Sequence, residues 1–372
     1  MSDNDVMNWL PPYQVLTQVS ILAEKLDYAH KMLNVPAMWK ETKGGGVKVC
    51  VIDSGVPNHV DLNVAGRASF IEGYEEDLNG HATHVGGIIA AIANNDIGVA
   101  GISPGVEDYY IAALGADGSG SIMSIANAIM HAVDNFGVDV INMSLGIPSG
   151  NRIARNLEAA CNYAVSQGVT VIAAAGNENS GVGQPACFDS VISVAAVDSK
   201  QHRAWFSNQG PELDFAAPGV QVYSTYLNNR YAKLSGTSMA SPMLTGVAAL
   251  IIADAKLDGE ILTPADVRAK LRKIAFDIGP EGDDESFGAG IPIFGHDAPV
   301  TPPTPPVTPP NDDKAKAKGM PEANCLYWRM FGDFIDKVGE SLDAGKTMEA
   351  SVAAGLRKLR AHKTAVNVML KR

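Results

Sequence analysis

Three polar residues far apart in the sequence each stand where an apolar segment begins or ends. Asp53 follows the apolar run VKVCVI, His81 lies in NGHATHVGGIIAA, and Ser238 lies in GTSMASPMLTGVAALI, where a helix is expected to start. An acid, an imidazole and a hydroxyl can form a nucleophilic unit, because the imidazole removes the serine proton while the carboxylate orients the imidazole. Histidine suits this role because its unperturbed pKa of about 6.5 lies near neutrality. Any one of these residues is usually structural, so the hypothesis requires all three to converge.

Apolar runs that alternate with helical patterns predict the scaffold that brings these residues together. Four runs are β-branched and apolar on both faces, which is typical of buried parallel strands: residues 47–52, 138–142, 169–174 and 191–197. Residues 121–136 and 151–167 have apolar positions at helical spacing. This alternation predicts an α/β three-layer sandwich with a mostly parallel central sheet. In such sheets ligands bind at the carboxyl ends of the strands.

Composition excludes several classes of protein. The chain has 372 residues, of which 46% are hydrophobic, and its net charge is −12. Global disorder is excluded by the apolar fraction, and nucleic acid and anionic membranes are unfavourable partners for an acidic chain. The N-terminal residues show no basic, apolar secretory signal, and no window approaches the ~18 apolar residues of a membrane span. These features predict a cytoplasmic protein with reduced cysteines: Cys50, Cys161, Cys187 and Cys325.

A proline-rich segment marks a boundary near the C-terminus. Residues 299–310 read PVTPPTPPVTPP, which favours an extended polyproline II spacer. The polar stretch that follows extends this linker to residue 319. Beyond it, two apolar stripes at helical spacing predict a small helical hairpin over residues 320–372. A hairpin of this size has little core of its own and is expected to dock or oligomerise, so a homodimer is possible.

The three motifs together resemble the subtilisin-like serine proteases. The resemblance covers about residues 35–294 and includes the stretches IDSGV, VINMSLG, AAAGNENS and GTSMASP. It implies a serine endopeptidase in which Asp53 orients the base, His81 is the base and Ser238 is the nucleophile. It further implies that the amide of Asn177 binds the tetrahedral oxyanion beside the backbone N–H of Ser238. The substrates are then proteins or peptides.

The same resemblance implies where a substrate binds. Two backbone segments would flank the substrate, which would pair with them as an added β-strand. Two glycines would help to form the primary specificity pocket, for which apolar or aromatic side chains are expected. The flanking residues are Leu114, Gly115 and Gly118 on one side and Ser144, Leu145 and Gly146 on the other, and the pocket glycines are Gly176 and Gly183.

The N-terminal segment Leu10, Pro11, Pro12 and Tyr13 resembles the short extension of the intracellular subtilisins. The resemblance implies a zymogen whose extension lies across the active site until it is cleaved. A proline in a substrate-like strand lacks the N–H needed for pairing and would resist cutting. The alternative is that this segment is merely an edge strand or a turn. The predicted division is an inhibitory extension over residues 1–22, a catalytic domain over 23–298, the linker over 299–319 and the hairpin over 320–372.

Calcium is the cofactor that the resemblance implies. Its site would be formed by Asp61 and the loop of residues 92–99, since oxygen ligands suit a hard cation. The ligands would be the side chains of Asp61 and Asn95 and the carbonyl groups of Ile97, Val99 and Ile92. This loop is one residue longer than the commonest form, so Ala93 is the alternative to Ile92. A plain surface turn is the alternative to a metal site.

Three positions depart from the usual family pattern. Ala82 stands where glycine is common, Met243 stands where histidine is common, and Ile147 replaces a second glycine after Gly146. Met243 is expected to pack, and Ile147 could narrow the pocket; His84 is expected to be a supporting residue. Two other functions stay open from the sequence. One is a processing protease that is targeted by its basic tail, and the other is a non-catalytic interaction protein on the same fold.

Overall fold

The structure is a computed structural model that describes residues 6–8, 10, 18–19, 24–73 and 75–295. Three residues of the predicted inhibitory segment (Pro11, Pro12 and Tyr13) lie outside the described residues, as do the predicted linker and the helical hairpin. Within the described residues the fold can be compared with the sequence prediction element by element.

The described chain alternates strands and helices throughout. In chain order the strands are β1 (Val6–Asn8), β2 (Gln18–Val19), β3 (Lys48–Asp53), β4 (Val64–Ser69), β5 (Glu107–Ala112), β6 (Ser119–Ser121), β7 (Val140–Met143), β8 (Thr170–Ala174), β9 (Ile192–Val197), β10 (Phe215–Pro218), β11 (Val222–Tyr226), β12 (Arg230–Leu234), β13 (Ala275–Phe276) and β14 (Ile291–Pro292). The helices are α1 (Tyr28–Met32), α2 (Val35–Met38), α3 (His81–Ala90), α4 (Ile122–His131), α5 (Arg155–Ser166), α6 (Thr237–Leu257) and α7 (Pro264–Lys273).

A seven-stranded sheet in the order β10-β9-β8-β7-β3-β5-β4 forms the centre of the protein. Its neighbouring strands pair in parallel, and helices cover both faces, which confirms the predicted α/β three-layer fold. Strands β7, β8 and β9 are buried along their whole length. Burial on both faces explains why these runs are apolar and β-branched without alternation.

The predicted element boundaries differ from the observed ones by a few residues. Asp53 is the last residue of β3 rather than the residue after it. The helix predicted over residues 121–136 is capped by the side chain of Ser121, and after α4 it continues as a π-helical turn, Ala132–Phe136. The helix predicted over 151–167 begins only at Arg155. The residues before it are held by the side chain of Gln184, whose Oε1 accepts from Ala154 N at 2.8 Å.

Helix α6 passes through the core. Among the described residues it is the one helix long and apolar enough to cross a membrane, but 94% of its apolar window is buried inside the protein, as in a core helix. Met243 is 2% exposed and belongs to the main core, so the prediction that it packs is confirmed. Ile147 is also buried in this core, at 3% exposure, so its side chain does not line an open pocket.

Strand β5 carries a carboxyl group into the interior beneath α3. Asp108 is 1% exposed and accepts a hydrogen bond from the hydroxyl of Tyr110, which is fully buried. The Tyr110 hydroxyl occupies the space that a side chain at Gly86 of α3 would fill. Within the described residues Asp108 Oδ1 has no hydrogen-bond partner. Desolvation therefore raises the pKa of Asp108 well above its usual value.

We expect Asp108→Asn to stabilise the protein as the pH rises. The folded pKa of Asp108 exceeds its unfolded value, so the folded state loses stability when the pH rises above the unfolded pKa of about 3.9. The gain in the variant should approach ~1.4 kcal/mol for each pH unit between the two pKa values and vanish at lower pH. Urea unfolding across pH measures this difference. Glu107→Gln, on an exposed neighbour, is the control, and equal curves for Asp108→Asn and wild type would contradict the prediction.

Candidate active site

Asp53 and His81 are joined by a buried hydrogen bond. His81 Nδ1 lies 2.8 Å from Asp53 Oδ1 and 3.0 Å from Oδ2, and both side chains are fully buried. The same carboxylate accepts from Ser54 N at 2.6 Å. A carboxylate held in this way keeps the proton of the neutral imidazole on Nδ1 and directs Nε2 away from the strand. The acid and the imidazole are therefore arranged as an orienting group and a base.

The start of α3 is held by a carboxylate that the sequence analysis missed. Asp77 Oδ1 accepts from Ser54 Oγ (2.9 Å), Asn79 N (3.1 Å) and Gly80 N (2.8 Å), and Oδ2 accepts from Thr83 N (2.8 Å) and Thr83 Oγ1 (2.6 Å). Ala82 N in turn donates to Ser54 Oγ at 3.1 Å. Five bonds on one carboxylate fix the first turn of the helix on which His81 lies. An aspartate four residues before the histidine is the sequence signal that could have identified this cap.

Strand register brings Ser238 to the strand end next to Asp53. Strands β3 and β7 are neighbours with Val51 opposite Asn142, which brings Asp53 level with Ser144. Adjacent strands lie about 4.8 Å apart. Ser238, at the second position of α6, donates from Oγ to the carbonyl oxygen of Ser144 at 3.1 Å. The hydroxyl therefore lies over the end of the strand that neighbours the one carrying Asp53.

Two N–H donors converge beside Ser238. Asn177 Oδ1 accepts from Thr237 N (2.8 Å) and Thr237 Oγ1 (2.9 Å), so the orientation of its amide is set. Asn177 Nδ2 is buried and has no hydrogen-bond partner among the described residues. The position that a Cβ atom would take at Gly236 lies 3.2 Å from Asn177 Nδ2 and 3.6 Å from Ser238 N, so both donors lie near the same point. A buried donor without a partner is costly, and it is typical of a site prepared for an anion.

The residues predicted to flank a substrate lie on two backbone segments, and glycine is required at several of these positions. Gly118 has φ +78°, a conformation that favours glycine, and it precedes β6. On the other segment, Ile147 and Gln184 exchange two backbone hydrogen bonds of 2.8 and 2.9 Å just after Gly146. A side chain at Gly183 would come within 2.6 Å of Ile147 O, so this position requires glycine. A carboxylate oxygen of Glu178 lies 2.8 Å from where a Cβ at residue 176 would be.

Residues near the N-terminus pair with β6, the strand that follows Gly118 and belongs to the segment predicted to flank a substrate. Strand β1 pairs antiparallel with β6, with Met7 opposite Gly120 and Asn8 opposite Ser119. Leu10 is 8% exposed, and its side chain lies 3.1 Å from the position of a Cβ at Gly118. Further along, β2 pairs antiparallel with β12. The backbone edge that a substrate would use is thus paired with the chain's own N-terminal residues.

The predicted calcium residues come together around a buried carboxylate. Asp61 is fully buried, and its oxygens accept from Asn95 Nδ2 (2.6 Å), Val99 N (3.2 Å) and the Tyr231 hydroxyl (3.1 Å). No cationic side chain in the described part of the chain forms an ion pair with Asp61. No cluster of three or more acidic, histidine or cysteine side chains is found among the described residues. The donor set is one carboxylate with neutral oxygens, which is chemistry that suits calcium.

The remaining histidine and cysteine predictions concern structure rather than chemistry. His84 is fully buried, its Nε2 lies 3.0 Å from Ala232 O, and burial lowers its pKa to about 3. It is therefore a neutral supporting residue, as predicted. Cys50 and Cys161 are free and buried in the core. Ala82 has no left-handed backbone conformation, so replacing the usual glycine there causes no strain.

Comparisons with known proteins agree with this geometry. Residues 44–290 match the model of the subtilase family, Peptidase_S8. Subtilisin DY of Bacillus licheniformis is 46% identical over 257 residues, which cover 67% of this chain and 89% of that protein. Subtilisin Savinase of Lederbergia lenta is 44% identical over 251 residues, 67% of this chain and 89% of that protein. The M-protease of Shouchella clausii is 42% identical over 278 residues, 74% of this chain and 70% of that protein.

We expect Thr237→Val to lower kcat and leave KM nearly unchanged. The variant removes the hydroxyl that helps to aim Asn177, whose predicted role is to bind the charge that develops only in the transition state. The loss should be about tenfold, below the ~10²–10³ that follows removal of an oxyanion donor outright, a range measured on subtilisin itself. Peptide hydrolysis at steady state measures it. Thr237→Ser keeps the hydroxyl and should restore the rate; a loss confined to KM would contradict the assignment.

Proposed function

The chain belongs to the subtilase family and is a subtilisin-like serine endopeptidase, and on this premise we propose that Ser238, His81 and Asp53 form its catalytic triad. Asn177 and the backbone N–H of Ser238 form the oxyanion hole in this proposal. The substrates of such an enzyme are proteins or peptides.

In the proposed mechanism each residue acts on one proton or one charge. Ser238 Oγ turns from the Ser144 carbonyl towards His81, gives its proton to Nε2 and attacks the substrate carbonyl carbon. Asp53 stabilises the imidazolium through the bond to Nδ1–H. The negative oxygen that forms is bound by Asn177 Nδ2 and Ser238 N. His81 then protonates the leaving amine. In the second half of the reaction, water gives a proton to His81 and attacks the acyl carbon, and His81 returns the proton to Ser238 Oγ as the acid leaves.

The observation that favours catalysis over a non-catalytic interaction protein is the buried amide of Asn177. Its donor is aimed beside Ser238 N and has no partner among the described residues. A binding protein gains nothing from an unsatisfied buried donor, which costs about 1–3 kcal/mol. An enzyme recovers that cost in the transition state, where the donor binds the oxyanion.

Self-inhibition by the N-terminal segment is the second part of the proposal. The support is the pairing of β1 with β6 and the burial of Leu10 against Gly118, which together occupy one side of the groove. Backbone pairing of this kind is how a substrate strand would bind. A segment of the same chain competes at a high effective concentration, so a free peptide would be excluded until the segment is removed.

Labelling of the nucleophile by a fluorophosphonate tests the proposed triad and the proposed self-inhibition in one experiment. We expect the full chain to label slowly and a chain that begins at Gln18 to label at least about tenfold faster, because intramolecular competition is lost. Ser238→Ala should abolish labelling in both lengths. The measurement is the rate and site of labelling by mass spectrometry. Label on another residue would contradict the triad, whereas equal rates in the two lengths would contradict inhibition alone.

Calcium binding at Asp61 and the loop of residues 92–99 is proposed from the chemistry of the residues present. The carboxylate of Asp61 is buried without a cationic partner among the described residues, and two residues of the adjoining loop, Asn94 and Asp96, have a left-handed backbone conformation (φ +63° in both). Glu24 adds a second carboxylate beside the loop, since its Oε2 accepts from Asn94 N. Bound calcium would supply positive charge and hold the loop; it takes no part in the bond-making steps.

We expect calcium to raise the Tm of the wild type relative to a chelator, and Asp61→Asn to abolish that rise. A ligand at 100 times its Kd stabilises by about 2.7 kcal/mol. Thermal unfolding of catalytically inactive protein, with and without calcium, measures the shift. Asp96→Asn is the matched control, because Asp96 is exposed in the same loop and is outside the proposed ligand set. A Tm that calcium leaves unchanged in the wild type would contradict the site.

Action inside the cell is a further proposal, and its support is the likeness of Leu10–Tyr13 to the extension of intracellular subtilisins. Two free cysteines in the core, Cys50 and Cys161, are compatible with a reducing compartment. Fractionation of the source cells, followed by detection of the protease, tests this proposal. Recovery of the active enzyme outside the cells would contradict it.

A further inference from the structure

We infer that Asn142, a fully buried side chain of β7, is a positioning residue that holds Ser238 against the strand end carrying Ser144. Because the inference concerns how Ser238 is held, it rests on the proposed role of Ser238 as nucleophile. Asn142 is remote from solvent and would not touch the substrate. Its influence would pass through one hydroxyl, that of Ser144.

The need for a positioning contact arises in the first turns of α6. In an α-helix the carbonyl of a residue accepts from the N–H four positions later. For Ser238 that position is Pro242, which lies inside the helix and has no N–H. The carbonyl of Ser238 is therefore deprived of its ordinary helical partner and requires another donor. The donor is Ser144 Oγ, at 2.8 Å.

Asn142 determines where the Ser144 hydroxyl points. Asn142 Nδ2 donates to Ser144 Oγ at 3.0 Å, and an amide nitrogen can only donate. The single hydrogen of the Ser144 hydroxyl is thereby directed to the Ser238 carbonyl. In the other direction Ser238 Oγ donates to the Ser144 carbonyl at 3.1 Å. Two residues 94 positions apart thus exchange two hydrogen bonds, and the amide maintains one of them.

The amide of Asn142 is itself anchored to the same helix. Its Oδ1 accepts from Ser241 Oγ at 2.8 Å and from Thr245 Oγ1 at 3.0 Å. Ser238, Ser241 and Thr245 follow one another at helical spacing and lie on one face of α6. All of these side chains are almost fully buried, so water does not compete for the bonds. The two bonds from Ser241 and Thr245 therefore hold the Asn142 amide in the orientation in which its Nδ2 donates to Ser144 Oγ.

Strand β7, which carries Asn142, leads directly into the segment that is proposed to bind the substrate. Residues 144–146 continue from β7 and are the segment proposed to pair with the substrate backbone, so one bond network positions both the nucleophile and the acyl group it attacks. A misplacement of ~1 Å between reacting atoms can cost about 10²-fold in rate. Loss of the amide should therefore appear in kcat rather than in the binding of substrate.

The test compares Asn142→Asp, Asn142→Ala, Ser144→Ala and the double variant Asn142→Ala with Ser144→Ala. Each is produced as the full chain and assayed after its N-terminal extension has been cleaved. Each protein is titrated for active sites by a fluorophosphonate, and kcat and KM are measured per titrated site on a peptide substrate. Asn142→Asp keeps the size of the side chain but replaces the donor by an acceptor. It therefore tests the bond even if Asn142→Ala does not fold.

Ser103→Ala is the matched control. Ser103 is fully buried, and its Oγ donates to the carbonyl of Gly246 in the same helix at 2.8 Å, two turns beyond Ser238. Ser103→Ala removes a hydroxyl-to-carbonyl bond to the same helix and leaves the bonds among Asn142, Ser144 and Ser238 in place. We expect it to lower the Tm and to keep the wild-type kcat per titrated site.

The inference requires kcat to fall about 10–100-fold in Asn142→Asp and Ser144→Ala, with KM little changed, because the misplacement affects the reacting atoms. The double variant should be no slower than Ser144→Ala, since both changes break one path. Wild-type kcat in Asn142→Asp, or losses that multiply in the double variant, would overturn the inference. If Ser238→Ala still hydrolyses peptide, the proposed function fails; if it is inactive while Asn142→Asp is unaffected, only this inference fails.

Discussion

The hydrogen bond between His81 Nδ1 and Asp53 is the constraint on which the rest of the site depends. Both groups are fully buried at 2.8 Å, so water neither competes for the bond nor screens it. A buried carboxylate without partners is strongly unfavourable, and the fold supplies them at the one place where β3 ends and α3 begins. Ser144 lies level with Asp53 on the neighbouring strand, and Ser238 bonds to Ser144, so both are positioned next to this junction.

Polar groups are concentrated at the carboxyl edge of an otherwise apolar sheet. The strands are apolar along their buried length, and hydroxyl, amide and carboxyl groups appear at their ends, where α3 and α6 begin. Nearly all of these groups are satisfied, including the carboxylate of Asp77, which accepts five hydrogen bonds. The amide nitrogen of Asn177 lacks a partner among the described residues, at the point where negative charge would develop. Satisfied groups give rigidity, and in the proposed mechanism the unsatisfied amide of Asn177 binds the oxyanion.

The edge of strand β6 is the element that the proposed substrate binding and the proposed self-inhibition have in common. Strand β6 presents backbone groups that require partners, and in this structure β1 supplies them. The same groups would accept any extended peptide, because pairing depends on main chain more than on side chains. The proposed self-inhibition therefore needs no second site, because a segment that competes for the same edge is sufficient. The proposed calcium loop would contribute to stability.

The residue types and their spacing were sufficient to predict the α/β fold and to single out the three polar residues, whereas the segments expected to flank a substrate came from the family resemblance and stay a prediction. The fold and the polar residues follow from local patterns, since buried parallel strands require continuous apolar runs and a nucleophilic unit requires particular side chains. The cap that Asp77 provides was missed in the sequence analysis, although a local signal for it exists; for the bonds by which Thr237 aims Asn177 and Asn142 bridges to α6 there is no such signal. Those bonds join residues separated by 60 to 103 positions and arise from strand register and helix placement. Only the packed tertiary structure decides them, because a hydrogen bond requires its two atoms to be within about 3 Å, and no local pattern encodes that distance.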